Sequence, residues 1–153
     1  MQKMGYMHAF LEETLRMATP APGTFPRVAL QDHYLKDIPV KKGTIVMPLF
    51  TPCMFSEEFY TDPCTFKPER WIRGSETCER PSDPYAFIPF SAGAKNCIGQ
   101  HMSLMEAKLI LCHFLKRYEF RLVDGYKLEM VIRFLAEPKD PMKFVLSRKK
   151  EGQ

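Results

Sequence analysis

The sequence predicts a mainly α fold with small β-sheets, an α+β class, on three observations. Of its 13 prolines, 11 lie between Pro20 and Pro89, so a long irregular middle is flanked by two segments nearly free of them. Both flanks carry apolar residues at helical spacing, Met7, Phe10, Leu11 and Leu15 before the middle and Met102, Met105, Leu109 and Cys112 after it. Between and beyond them stand short β-prone runs bounded by Gly, Pro and Asp. With 153 residues the chain is long enough for one domain with a real core, and it shows no internal repeat or low-complexity linker.

Composition excludes several classes. Hydrophobic residues make up 45% and charged residues 26%, as in an ordinary globular chain. A net charge of +4 is too weak and too dispersed for nucleic-acid binding, and Arg148-Lys149-Lys150 reads as a solvated tail. Cysteines at 53, 64, 78, 97 and 112 are odd in number and form no CxxC or zinc spacing with the four histidines, so reduced thiols and an intracellular setting are expected. No run approaches the ~18 apolar residues of a membrane-spanning helix, and no signal peptide opens the chain.

Taken in order, Tyr6 to Met17 predicts a helix that Pro20 stops. Glu13 and Arg16, three apart, share a face. Alone they read as a surface ion pair contributing under about 1 kcal/mol. Thr19 to Arg27 is an extended connection, because each proline bars helix in the residue before it. Arg27–Leu30, Tyr34–Ile38 and Thr44–Met47 read as strands of a small antiparallel sheet, with a turn at Val40–Gly43. Phe55–Tyr60 fits a short helix, and Ile72–Pro84 a polar loop. Phe25, Phe50, Phe55, Phe59, Tyr60, Phe66, Trp71, Tyr85 and Phe87 stud this middle, as expected of long loops wrapped over something. Gln100 to about Phe120 predicts a helix buried on much of its circumference, since Leu104, Leu111, Phe114, Leu115 and Tyr118 widen its apolar stripe. Lys127–Leu135 and Lys143–Ser147 read as strands around a hairpin at Glu137–Pro141.

The stretch Phe90-Ser-Ala-Gly93-Ala-Lys95-Asn-Cys97-Ile-Gly99 stands apart. It sets a cysteine between glycines at a helix start, where partial positive charge favours an anionic sulfur. Gly93 and Gly99 let the backbone turn sharply and approach something flat and bulky. Phe90 suits covering the sulfur, and Lys95 suits reaching an anionic group at a ligand's edge. A buried free cysteine at the head of a core helix is the alternative reading, and these ten residues leave both open.

Three motifs together decide it. Glu13-Thr-Leu-Arg16 resembles the ExxR helix of the cytochrome P450 family, Phe66-Lys-Pro-Glu-Arg70-Trp71 its PERF-type segment, and Phe90 to Gly99 its haem-binding loop FxxGxRxCxG. Their order and spacing are similar to the family's over nearly the whole chain, so residues 1–153 are read as a partial domain, the C-terminal portion of that fold. The resemblance implies haem b, with Cys97 as axial thiolate and metal ligand. It implies that Arg27 and Lys95 meet haem propionates, that Phe90 shields the sulfur, and that Gly93 and Gly99 shape the loop. Glu13, Arg16 and Arg70 would form a buried charge triad, which replaces the surface-pair reading. Ala21, Pro22, Gly23, Thr24 and Phe25, with Ile132, Arg133, Phe134 and Leu135, match segments that line the substrate pocket.

Departures are equally informative. Lys95 stands where the family usually has Arg, keeping the charge but losing the planar fork. The family's oxygen-activating helix and the cover of the distal haem face are expected before Met1, as is an N-terminal anchor to the endoplasmic-reticulum membrane. The chain looks like roughly the last third of such a protein, and alone it is expected not to work as an enzyme. The function implied is that of a haem-thiolate monooxygenase inserting one atom of O2 into an apolar organic substrate. Electrons would come from a redox partner, an NADPH-dependent reductase or a ferredoxin. A haem-thiolate isomerase or peroxygenase and a non-catalytic truncated remnant are the alternatives.

Overall fold

The computed structural model describes residues 5–150. Helix α1 (Gly5–Met17) turns Ala9, Leu11, Glu13 and Arg16 inward, an apolar face that becomes charged toward its C-terminal end. Four short strands follow the proline-rich connection: β1 (Arg27–Val28), β2 (His33–Leu35), β3 (Ile38–Val40) and β4 (Ile45–Val46). They form two separate antiparallel pairs, β1 with β4 and β2 with β3. The run Tyr34–Ile38 is therefore not one strand. It reverses at Lys36, whose φ of 54° places it in the left-handed region that two-residue hairpin turns require.

The expected helix at Phe55–Tyr60 lies earlier, as α2 (Thr51–Met54). Pro52 presets the helical φ in its first turn. Residues 55–60 instead form turns, because the Ser56 hydroxyl accepts the Glu58 amide at 3.2 Å and competes with helical pairing. Pro68–Trp71 winds a 3-10 turn against α1, and of the polar stretch 72–84 expected as loop all but Pro84 is loop. A second 3-10 turn, Pro84–Ala86, is capped by Asp83, whose carboxylate accepts the Tyr85 amide at 2.8 Å.

Helix α3 (Gln100–Arg117) ends three residues before Phe120, where β5 (Tyr118–Leu122) begins. The tail adds β6 (Met130–Ile132), β7 (Ala136–Pro138) and β8 (Phe144–Arg148). The expected pairing of 127–135 with 143–147 does not form. β6 folds back on β7, and β8 returns to β5 with Phe120 opposite Leu146. Aromatic contacts favour that partner: Phe120 meets Phe144 edge-on at 5.8 Å and Phe114 at 5.3 Å.

The core is Ala9, Tyr60 and Trp71, flanked by Phe59, Ile72 and Phe87, and it lies beside α1. α3 takes no share in it. Contrary to the expectation of a buried helix, none of its residues is buried, and Met102, Met105, Leu109 and Ile110 are exposed. α1 and β5 lie against it along narrow strips, and the Lys149 amide donates to Arg117 O at its end at 2.8 Å. No described helix is long and apolar enough to cross a membrane.

Candidate functional site

Two assemblies stand out, a buried charge cluster and the exposed Cys97 loop, joined by an aromatic stack. α1 places Glu13 and Arg16 one turn apart, and the 3-10 turn brings Arg70 across to them; all three side chains are fully buried. Arg16 grips Glu13 with two parallel bonds, from Nε at 2.9 Å and from its terminal nitrogen at 2.8 Å. Arg70 Nε donates to the same carboxylate at 3.2 Å. The Lys67 amide and the Trp71 indole N–H add bonds at 2.9 and 2.8 Å. Burial pushes the Glu13 carboxyl up, but hydrogen bonds from Arg16, the Lys67 amide and Trp71, together with the Arg16 charge, outweigh it and hold the group below its ordinary value.

The guanidinium donors left over find carbonyls. Arg16 donates to Met54 O at 2.6 Å, and Arg70 to Thr61 O at 3.2 Å. Tyr60 lies beneath both cations, its ring 5.0 Å from the Arg16 guanidinium carbon and 5.7 Å from that of Arg70. Sequence reading missed Trp71 as a donor, Tyr60 as the platform and Glu79 as a further carboxylate. Only Trp71 carried a signal, because a residue adjacent to Arg70 in a tight turn shares its surroundings.

From this cluster an aromatic path leads toward Cys97. Trp71, bonded to Glu13, packs on Phe87 with ring centroids 4.4 Å apart. Tyr60 donates its hydroxyl proton to Ala86 O at 3.3 Å. Residues 86 and 87 thus sit on the cluster just before the loop begins at Phe90. The loop is closed by its own backbone, the Cys97 amide donating to Phe90 O at 2.9 Å and the Asn96 amide to Gly93 O at 3.2 Å. Gly93 has φ of 80°, a conformation that side chains disfavour, and the space beside it is open. Cys97 is a free, exposed thiol, three residues before the first residue of α3. Phe90 is half-buried, while Lys95 ends the short 3-10 turn Gly93–Lys95 exposed and without an ion pair among the described residues. Gly99 caps α3 next to the sulfur, where an added Cβ would stand 3.8 Å from it.

The other predicted residues fall into two groups. The segments Ala21 to Phe25 and Ile132 to Leu135 are tied at their edges: the Ala136 amide, beside the turn of the tail hairpin, donates to Pro20 O at 2.7 Å. Gly23 presses on β4's exit, where an added Cβ would lie 2.7 Å from Pro48 O, so only glycine fits. Phe25, Ile132, Phe134 and Leu135 present exposed apolar side chains, and Arg133 pairs with Glu137. Arg27 stands exposed on β1, opposite Val46, and no hydrogen bond or ion pair joins its side chain to the Cys97 loop.

The donor set narrows what Cys97 can hold. No group of three His, Cys, Asp or Glu residues able to hold a metal occurs among the described residues. Cys97 therefore has no second and third ligating side chain grouped with it among the described residues. Ile98, the next residue, and Met102, in the first turn of α3, are exposed apolar side chains, and Gly93 and Gly99 stand on either side of Cys97 in the sequence. Together these features describe an exposed thiol in a glycine-bearing loop at the head of α3.

The chain belongs to the cytochrome P450 family, whose model matches residues 1–146. It is 35% identical over 153 aligned residues to cytochrome P450 4d10 of Drosophila mettleri, covering 97% of this chain and 29% of that one. It is 27% identical to the alkane hydroxylase MAH1 of Arabidopsis thaliana, covering 97% of this chain and 30% of the relative. In three dimensions it superposes on the retinoic acid-bound cyanobacterial CYP120A1 with a TM-score of 0.86 at 28% identity, over 97% of this chain and 33% of the other. The chain spans about a third of the length of these relatives. The fold is thus a portion of the P450 fold, and membership implies haem.

Proposed function

We propose that the chain supplies the proximal, thiolate-bearing part of a haem b monooxygenase that inserts one oxygen atom from O2 into an apolar organic substrate. The observation that carries the reading is the exposed sulfur of Cys97, held between Gly93 and Gly99 in a loop closed onto Phe90. When bound, the haem would supply one-electron and O2 chemistry. The chain's own residues do the holding. Cys97 ligates, Phe90 limits water at the sulfur, and Lys95 and Arg27 offer cations for the two propionates. Glu13, Arg16 and Arg70 keep residues 86 and 87, and with them the start of the loop, in place. The exposed apolar residues Phe25, Ile132, Phe134 and Leu135 suit one wall of a substrate pocket. An apolar substrate is also supported by the relatives, one named an alkane hydroxylase and one crystallised with retinoic acid. Electrons come from a separate redox partner.

The test is spectroscopic, on the full chain as its gene encodes it. Reduced and exposed to carbon monoxide, it should give a red-shifted, thiolate-type Soret band. Cys97→Ser should abolish that band, while Cys53, Cys64, Cys78 and Cys112 should each be replaceable by Ser without losing it. An unchanged spectrum in Cys97→Ser overturns the assignment.

A further inference from the structure

The three buried members of the charge cluster do not balance. Glu13 brings one negative charge, Arg16 and Arg70 two positive ones, and all three side chains are fully buried. An excess charge in such a place is costly unless a partner reaches it. One does, from the polar loop that sequence reading left without a role. Glu79 Oε2 lies 2.6 Å from a terminal nitrogen of Arg70, the shortest of that guanidinium's contacts. The Glu79 amide also donates to the Arg70 carbonyl at 2.9 Å, so this residue is fastened to Arg70 by side chain and backbone at once. Its other oxygen accepts from Lys67 Nζ at 3.3 Å, a longer contact in which both groups are partly exposed.

We propose that Glu79 is a positioning residue, the counter-charge that completes the buried cluster and latches the Ile72–Pro84 loop onto Arg70. Both consequences run through Arg70. Released from Glu79, its guanidinium would carry an uncompensated charge against Glu13 and Thr61 O. Because Trp71 follows it directly and packs on Phe87, movement there reaches the segment that enters the Cys97 loop. Glu76, on the same loop, is exposed and makes no ion pair with a described residue, so a negative charge on the loop is not by itself the device.

The inference does not depend on the haem reading, and its first readout needs no haem. In the full chain as its gene encodes it, trypsin can cut after the exposed Arg73, inside the latched loop, whereas Arg80 precedes Pro81 and is resistant. Cleavage after Arg73 tracks the open population when reclosing is fast. Glu79→Gln, which keeps the shape and loses the charge, should accelerate that cut at least about tenfold, in line with loss of a charged hydrogen bond. Glu79→Asp, which keeps the charge at shorter reach, should accelerate it only about two- to fivefold. Lys67→Met and Glu76→Gln should leave it at the wild-type rate. On the haem-loaded protein the thiolate-type Soret band should fade in the order Gln before Asp. Should Glu79→Gln not accumulate in folded form, Glu79→Asp against Lys67→Met still decides, the first faster than wild type and the second not. Equal cleavage of Glu79→Gln and wild type overturns the proposal. So does equality of the Asp and Gln variants, or an equal acceleration by Lys67→Met or Glu76→Gln.

Discussion

Replacing Glu13 by Gln is the sharpest single perturbation of this molecule, because nearly isosteric atoms leave the packing intact and change only charge and donor pattern. The carboxylate accepts five hydrogen bonds, three at Oε1 and two at Oε2. An amide cannot accept on its nitrogen side. Its better orientation keeps oxygen toward Arg16, Lys67 and Arg70 and turns NH2 against Arg16 Nε and the Trp71 indole N–H. Two donors then face a donor, and two buried guanidiniums lose their shared anion. Breaking one partner out of a buried ion set costs about 3–5 kcal/mol, a large share of the roughly 5–15 kcal/mol that holds a domain together. Urea unfolding of the full chain should show a clear fall in midpoint at neutral pH, with haem lost more readily. Trp71→Phe keeps most of the packing on Phe87 and removes one donor to a charge, so its cost should be smaller, about 1.5–3 kcal/mol. A Glu13→Gln unfolding free energy within about 1 kcal/mol of wild type would refute the reasoning, since no exposed pair is expected to exceed that figure and a buried one must.

Two further outcomes are expected. Lys95→Ala should speed haem transfer to an acceptor protein about two- to fivefold, the scale of an exposed ion pair, and Lys95→Arg should match or slow the wild-type rate. Unchanged transfer in both variants would remove Lys95 from the propionate contact and leave it as an exposed cation of the proximal surface. Tyr60 predicts an alkaline limit. Burial raises its hydroxyl to about 12, with the Arg16 charge opposing, from an ordinary 10.0. The folded state therefore holds this proton more tightly, so its contribution is complete below pH 10 and is lost as pH rises toward about 12. The loss amounts to roughly 3 kcal/mol at one pKa unit per 1.36 kcal/mol. Tyr60→Phe should flatten stability over that window, at the expense of its bond to Ala86 O; an unchanged alkaline slope would contradict the assignment.

What the sequence displayed and what it hid follow a physical division. Helix α1 and its stop were legible because a 3.6-residue period and a proline are local signals. The Cys97 loop was legible because its glycines and cysteine are chemical choices with few other uses. The meeting of Glu13 with Arg70, 57 residues apart, was visible only through the resemblance, since spacing within a helix says nothing about a partner on a distant turn. Glu79 was invisible. A glutamate in a polar loop looks like solvent-facing charge, and only its folded contacts with Arg70, by carboxylate and by amide, separate it from Glu76. The tail erred for a related reason. Strand-forming runs were found nearly in place, but their partners were set by Phe114, Phe120 and Phe144 converging from three elements.

Helix α3 carries the most general lesson of the molecule. Its apolar residues recur as expected, yet Met102 is 65% and Ile110 67% exposed. Periodicity reports which faces of a helix disfavour water; whether a face is covered depends on what packs against it. Within the described residues little does, and the apolar stripe continues into Ile98, fully exposed beside the Cys97 sulfur. Sulfur and apolar surface are therefore exposed on neighbouring stretches of the chain, while the charged cluster is sealed behind Tyr60 and Trp71. Under the function proposed above, a bound metal macrocycle would ask for such a separation of exposed sulfur from buried ions. The ligand atom must be open to the cofactor, and the ions that hold it in place must be shut away from water, where their attraction is least screened.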